Sequence, residues 1–321
     1  MERSDAYQHE RPHPSLDCLP KMRVFVTGGT GFVGQYIIDQ LLNTGHTVRC
    51  LVRNAQDGRL PDTVEQVQGD VLKPDSLKET LSGTDAVIHL VGIIQEKPSH
   101  GITFEALHHQ ATMNVVHAAR EAGVSSWIQM SANGARKDGV SAYQTSKWKA
   151  EQVVKEAGFD HWTIFRPSLI FGKPGPGVPE FASQLVNDLI KPLPVWPIFG
   201  DGSFAMQPIH VEDVARAFVA ALGTPAAHGH MMCLSGPEAI PFKTILERIA
   251  SGAGVSPKLM IPQPLWLMRP VVSILGGILL PISSDQLEML VEGNTCNGQP
   301  AADLFGLKMT PFTPEELSYL K

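Results

Sequence analysis

The segment VFVTGGTGFVG, Val24–Gly34, constrains the fold of this chain more than any other stretch. A run of β-branched and aromatic residues ends at Thr27, and glycines follow at 28, 29, 31 and 34 before the amphipathic FVGQYIIDQLLNTGH. A strand that turns through glycines straight into a helix opens a βαβ unit. Gly28, Gly31 and Gly34 give GxxGxxG, and Gly29, Gly31 and Gly34 also satisfy GxGxxG. A side chain in this turn would keep the backbone from a pyrophosphate, and the last glycine lets helix and strand pack closely. The helix start then offers free N–H groups and a positive dipole end. The turn predicts a bound dinucleotide, held by Gly28, Thr30, Gly31, Phe32, Val33 and Gly34.

The rest of the first half repeats that grammar. MRVFVTG, TVRCLVR, VEQVQGD, DAVIHLVG, SSWIQMSA and HWTIFRPS read as strands, separated by segments long enough for helices or turns. This predicts an α/β fold of Rossmann type, a doubly wound parallel sheet, over residues 22–166. After Pro167 proline and glycine become dense, as in FGKPGPGVPEF, and helical patterns follow at Phe181–Ile190, Val211–Leu222, Phe242–Gly252 and Ser284–Glu292. Residues 167–321 therefore read as a smaller, mostly helical substrate or partner domain. Two strands, Gln207–His210 and Met231–Leu234, are expected to return to the main sheet. Residues 1–21 are polar and proline-bearing, with no apolar signal segment, and read as a disordered leader with Met22 as the true start.

The nucleotide can be narrowed. An acidic residue about 20 positions past the glycines would hold the ribose 2′-hydroxyl of NAD. The second strand ends instead on Arg53, with Arg49 four residues earlier. A guanidinium suits a 2′-phosphate, so NADP(H) is expected ahead of NAD(H). Asp70 and Val71 after the third strand would meet the adenine. Leu90, Val91 and Gly92 after the fourth would let the cofactor pass near the backbone.

The reactive end lies in QMSANGARKDGVSAYQTSKWKAE. Tyr143 and Lys147 are i and i+4 on a helix and share a face. A neighbouring ammonium lowers a phenol's pKa and makes it an acid or base for a carbonyl or hydroxyl. Ser131, at the end of the fifth strand, is placed to hold the substrate oxygen.

Charge and composition exclude other classes. The net charge is −6, against a nucleic-acid binder, and 43% hydrophobic residues provide for a sizeable core. The four cysteines show no CxxC spacing, and the histidines lack companion ligands, so no metal is expected. His210 before a helix reads as a loop-orienting residue on the substrate side, with Glu212 and Asp213 as first-turn acids. The apolar PLWLMRPVVSILGGILLPI, Pro264–Ile282, is interrupted by Arg269 and Pro270 and is too short beyond them to span a bilayer. It reads as a core helix or pocket wall; the other reading is a face for a membrane or apolar partner.

With these motifs in view, Met22–Leu320 resembles the extended short-chain dehydrogenase/reductases, the superfamily of nucleotide-sugar epimerases. Within it the chain looks most like the atypical branch containing the NADPH-binding accessory subunit of respiratory complex I and its bacterial relatives. The segments TGGTGFVG, CLVRN, HLVGII, ATMNVVHAAREAGV, MSANGA, YQTSKWKAE, FRPSLIFG, QPIHVEDVARA, SSDQLEML and PFTPEELSYL carry the likeness. It implies Tyr143 and Lys147 as the catalytic pair, Lys147 also on the nicotinamide ribose, and Ser131 as the catalytic serine. Pro167, Ser168, Leu169 and Ile170 would line the nicotinamide. His108 departs from the pattern, standing where sugar-converting members have an asparagine. Two functions follow as expectations. One is an NADPH-dependent oxidoreductase or epimerase acting on a carbonyl or alcohol, with a smaller or more apolar substrate, such as a quinone-like or lipid-derived carbonyl, expected ahead of a sugar nucleotide. The other is an NADPH-holding module, cytoplasmic and peripheral to a membrane, that serves a respiratory-complex partner. No Arg/Lys clamp for a sugar diphosphate is visible, since Lys173, Arg216 and Arg269 are scattered.

Overall fold

A computed structural model describes residues 21–54, 58–275 and 282–321. The expected leader thus falls outside the described residues, apart from Lys21. All six expected strands form, and with one later strand they build a seven-stranded parallel sheet. In chain order the first half contains β1 (Arg23–Thr27), α1 (Phe32–Asn43), β2 (Thr47–Val52), β3 (Glu65–Gln68), β4 (Ala86–His89), α2 (Ala111–Glu121), β5 (Ser126–Met130), α3 (Ala142–Glu156) and β6 (His161–Pro167). The second half adds β7 (Ile170–Phe171), α4 (Phe181–Leu185), β8 (Trp196–Phe199), β9 (Ala205–Met206), β10 (Ile209–His210), α5 (Val211–Leu222) and β11 (His230–Leu234). It closes with β12 (Ile240–Pro241), α6 (Phe242–Gly252), β13 (Met260–Gln263), α7 (Leu265–Leu275), α8 (Ser284–Glu292) and α9 (Gln299–Phe305).

The strand order is β11-β6-β5-β4-β1-β2-β3. Its central strands are continuous apolar runs because helices cover both faces. Side chains alternate between those faces. Val24, Val26 and Ile88 pack in a core with Ile37, Ile38 and Phe218 of α1 and α5. Phe25, Val87, Trp127 and Ile164 pack on the other side with Val115 of α2 and Val154 of α3. The order reverses between β1 and β4, and a ligand crevice forms beyond the carboxyl ends of the strands at such a switch point.

The second half departs from expectation in three places. Met231–Leu234 does return to the main sheet, as β11 beside β6, with His230 paired to Thr163 and Leu234 to Pro167. Gln207–His210 does not. Its Ile209–His210 part pairs with Ile170–Phe171 in a separate two-stranded sheet, since β11 already occupies that edge and Pro208 has no N–H to offer a ladder. The Phe181–Ile190 helix is α only to Leu185 and continues as a π turn over Val186–Ile190. Short strands β7–β10, β12 and β13 interleave with the helices around their own core of Phe171, Trp196, Phe242, Ile245 and Leu246. Finally, α7 is a surface helix. Trp266 is 77% and Ile274 73% exposed, which overturns the core-helix reading of that stretch as far as Leu275. Residues 276–281 lie outside the described residues.

Candidate functional site

The glycine turn sits at the switch point. Gly28 has φ +76°, and its carbonyl accepts the N–H of Gly31 at 3.1 Å. A Cβ on Gly28 would stand 3.1 Å from the Leu90 carbonyl carbon and the Val91 nitrogen, so the exit of β4 runs directly against the turn. A Cβ on Gly34 would lie 2.4 Å from the Gly28 oxygen. Gly31 is the N-cap of α1 and has no side-chain cap, leaving first-turn amides for an anion. A backbone cradle that any side chain would fill, facing an uncapped helix start, fits a dinucleotide diphosphate. Phe32 and Val33 open α1 behind it, and Thr30 offers its carbonyl to Arg59 Nη1 at 3.5 Å.

The nucleotide's far end is less as expected. Arg53 is exposed at the end of β2. Arg49 is engaged elsewhere, paired with Glu65 at 2.9 Å and donating to the carbonyls of Thr80 and Ser82 at 3.0 and 2.8 Å. Four residues along a strand bring a side chain back to the same face but about 13 Å away, too far to serve one phosphate. Arg59, which the sequence reading missed, is the guanidinium that reaches the turn. Asp70 Oδ1 accepts the Leu72 N–H at 3.0 Å, and Asn114 of α2 holds the Val71 carbonyl at 2.8 Å, fixing that loop.

The reactive end is built on the start of α3. Ser141 caps the helix by accepting the Gln144 N–H at 3.2 Å, and Asp285 of α8 accepts the N–H groups of Ala142 and Tyr143. Tyr143 is held by two rings edge to face, Phe104 at 5.6 Å and His108 at 5.2 Å. Burial pushes its phenol up to about 12. Lys147, buried at 4% exposure, donates to the Met130 carbonyl at 3.4 Å, and a Cβ on Gly92 would stand 2.8 Å from its Nζ. The ammonium is thus beside the β4 exit, within the crevice. Its own pKa is lowered to about 8 by burial, against an upward pull from Glu151. The expected depression of the phenol is absent, because desolvation governs Tyr143 and the ammonium is turned to Met130.

His108 lies in a π turn, Glu105–Gln110, that runs into α2. Ser146 Oγ donates to the Tyr143 carbonyl at 2.8 Å and meets His108 Nδ1, also at 2.8 Å. His108 Nε2 lies against both the N–H and the carbonyl of Ile93, at 3.0 and 3.1 Å. Burial lowers the pKa to about 2, so the ring is neutral. His108 is therefore a strut between Ile93, after β4, and the start of α3. His89 is a second buried neutral imidazole; its Nδ1 meets Thr27 Oγ1 at 2.7 Å, joining β4 to β1, and burial lowers its pKa to about 3.

Ser131 is buried, and its hydroxyl donates to Glu151 at 2.6 Å. Glu151 is fully buried on α3 and takes a fork from Arg166 of β6 at 2.7 and 2.6 Å. Sequence reasoning missed this network because a strand serine, a helix glutamate and a strand arginine share no spacing. Pro167 ends β6, Ser168 donates its N–H to the Leu234 carbonyl at 2.8 Å and its hydroxyl to the Gln207 carbonyl at 2.5 Å, and Leu169 and Ile170 lead into β7. His210 is the N-cap of α5, accepting the Glu212 N–H at 3.3 Å and lying edge-on to Phe171. Asp213 is buried and paired with Arg216. The segment after α8 also borders the site: Glu292 receives Arg136 and Gln144, and Asn294 receives Asn133 at 2.9 Å. Among the described residues no three His, Cys, Asp or Glu gather as a metal site.

A parallel sheet with a glycine turn at its switch point and a Tyr–Lys pair on the helix after β5 defines an NAD(P)-binding protein of the extended short-chain dehydrogenase/reductase type. Residues 24–233 match the NAD dependent epimerase/dehydratase family, and the chain belongs to that family. It is 30% identical over 234 residues to the mitochondrial NADH dehydrogenase [ubiquinone] 1 alpha subcomplex subunit 9 of Arabidopsis thaliana, covering 69% of this chain and 56% of that protein. It spans little more than half the length of that relative. A ceramide reductase of Caulobacter vibrioides is 30% identical over 246 residues, covering 75% of this chain and 74% of the relative. Among solved structures, a UDP-glucuronic acid 4-epimerase from Bacillus cereus in complex with NAD superposes with a TM-score of 0.72 at 18% identity, over 93% of this chain and 95% of that one.

Proposed function

We propose that this chain binds NADPH and reduces a carbonyl, with Tyr143 as the proton donor and residues 167–321 closing the substrate side. The observation that carries the reading is the placement of Lys147 and Tyr143 on α3, with Lys147 Nζ at the β4 exit that flanks the glycine cradle. Bound nucleotide supplies a hydride; the protein's part is to orient and to move one proton. A phenol held up at about 12 keeps its proton at neutral pH, which suits an acid towards a carbonyl better than a base towards an alcohol. Lys147 stands where it would hold the nicotinamide ribose and favour the phenolate left after proton transfer. Ser131 would meet the substrate oxygen only by releasing Glu151.

The preference for the 2′-phosphate rests on Arg53, with Arg59 nearby. A sugar diphosphate is disfavoured, since Arg216 is paired with Asp213 and Arg269 with Glu288 at 2.9 Å. An apolar, lipid-derived carbonyl is the better candidate, a chemistry the name of the Caulobacter relative also carries. Stopped-flow absorbance of the NADPH-bound protein mixed with long-chain ketones tests this. Oxidation is expected in wild type and lost in Tyr143→Phe, which should still bind NADPH; equal oxidation in both would overturn the assignment.

The exposed apolar residues of α7 support a second reading, a nucleotide-holding subunit peripheral to a membrane respiratory complex. Relatives from Arabidopsis thaliana and Mus musculus, among others, carry NADH dehydrogenase names. Among the described residues no helix is long and apolar enough to cross a membrane. NADPH that no carbonyl oxidises would leave this reading standing.

A further inference from the structure

Cys233 and Cys296 are 63 positions apart in sequence, yet the fold sets them side by side: the Cys296 carbonyl accepts the hydroxyl of Ser235, two residues along the chain from Cys233, at 2.9 Å, and each thiol shifts the titration of the other. Cys233 lies on β11, the edge strand, in register with Arg166 of β6. Cys296 lies in the segment after α8, tied by its own backbone: its N–H donates to Gln207 Oε1 at 3.1 Å and its carbonyl accepts Ser235 Oγ at 2.9 Å. Both are free and half-buried, open to a small reagent, whereas Cys50 is buried in the core.

We propose that Cys233 and Cys296 are a redox-sensitive thiol pair that closes to a disulfide under a mild disulfide oxidant and fastens the segment after α8 to the sheet edge. The asymmetry of the pair gives each sulfur a part. Its interaction with Cys296 and the Arg166 charge pull the Cys233 thiol down towards the thiolate, while the same interaction and burial hold the Cys296 thiol up. Cys233 thiolate attacks one sulfur of oxidised glutathione, forming a mixed disulfide and releasing glutathione thiolate. Cys296 gives its proton to that thiolate or to water, attacks the Cys233 sulfur and expels the second glutathione. Two protein thiols are oxidised and one glutathione disulfide becomes two thiols. A thiol–thiol contact must tighten to about 2 Å in the bond, a movement that falls on the Cys296 loop because Cys233 is laddered to β6. That loop carries Asn294, which holds Asn133, and follows Glu292, which holds Arg136 and Gln144. The bridge therefore stiffens one wall of the crevice, whether or not nucleotide turns over there.

The test is to incubate the whole protein with oxidised glutathione at pH 7.5, trap with iodoacetamide, and read intact mass and peptide maps. The expected product has lost two hydrogens, with the cross-link joining the peptides bearing Cys233 and Cys296 and opening in dithiothreitol. Cys296→Ser under the same treatment should instead keep a glutathione adduct on Cys233. A wild-type product that keeps glutathione without an internal bridge, a bridge through Cys18, or an unreacted Cys233 in the serine variant overturns the proposal.

Discussion

Replacing Glu151 by glutamine tests how the reactive end is held. The carboxylate is fully buried and accepts three hydrogen bonds, from Ser131 Oγ at 2.6 Å and from Arg166 at 2.7 and 2.6 Å. An amide of the same shape keeps one oxygen, and because the guanidinium donates to both carboxylate oxygens, the NH₂ faces an Arg166 N–H whichever way it turns. Breaking a buried ion pair from one side costs about 3–5 kcal/mol. Arg166 keeps 23% of its side-chain surface in water, which hydrates part of the stranded cation and places the expected loss at the lower end, about 3 kcal/mol. Urea unfolding at pH 7 reads this as a lower midpoint at unchanged slope. Glu151 also supports the charge on Lys147, so the variant's Lys147 should titrate below the wild-type value of about 8, measurable by lysine-resolved NMR. A loss under about 1 kcal/mol, the range of an exposed pair, together with an unmoved Lys147, would refute the network as the site's support.

Other outcomes follow from the same geometry. Arg53→Ala should weaken NADPH binding about tenfold or more, since charge-assisted bonds are worth about 1.5–3 kcal/mol, while NADH binding stays nearly unchanged; fluorescence titration with both nucleotides reads the difference. Gly34→Ala places a carbon 2.4 Å from the Gly28 oxygen, so the turn must open, and calorimetry should show affinity for either nucleotide lowered by roughly tenfold, or 1.4 kcal/mol. His89 and His108 have folded pKa values near 3 and 2, below an unfolded value of about 6.5, so the unfolded chain binds more protons as the pH falls. Stability should therefore drop below pH 6.5, each histidine removing about 2 kcal/mol by pH 5, and His108→Asn should flatten the acid limb by one such share in urea melts at pH 5 and 7.

The main sheet was legible because its signals are local. Each strand is a short run bounded by turn residues, and the glycine turn announces both a fold and a ligand within eleven positions. Tyr143 and Lys147 were legible for the same reason, as one helix face. What escaped depends on distant partners. Whether Gln207–His210 joined the sheet hinged on β11, a strand further along the chain, holding the edge. Arg49 and Arg53 look alike in sequence, but Glu65 of the adjacent strand and the carbonyls of Thr80 and Ser82 capture the former. His108 stood out as a departure from the family pattern, but its role as a strut needed Ile93 and Ser146 in place. The apolar run from Leu265 to Ile274 had the composition of a core and largely the exposure of a surface, a distinction hydropathy cannot make.

The late position of β11 bears on how the chain is made. β6 ends at residue 167, but the strand that ladders onto its outer edge ends at residue 234. At about 5–20 residues per second, a ribosome needs roughly 3–13 s to synthesise the intervening residues. Throughout that interval Thr163–Pro167 presents unpaired backbone groups next to the apolar Ile164 and Phe165. The nascent chain is then most exposed to wrong pairing, and pausing within 168–230 should cost more soluble product than pausing after residue 240.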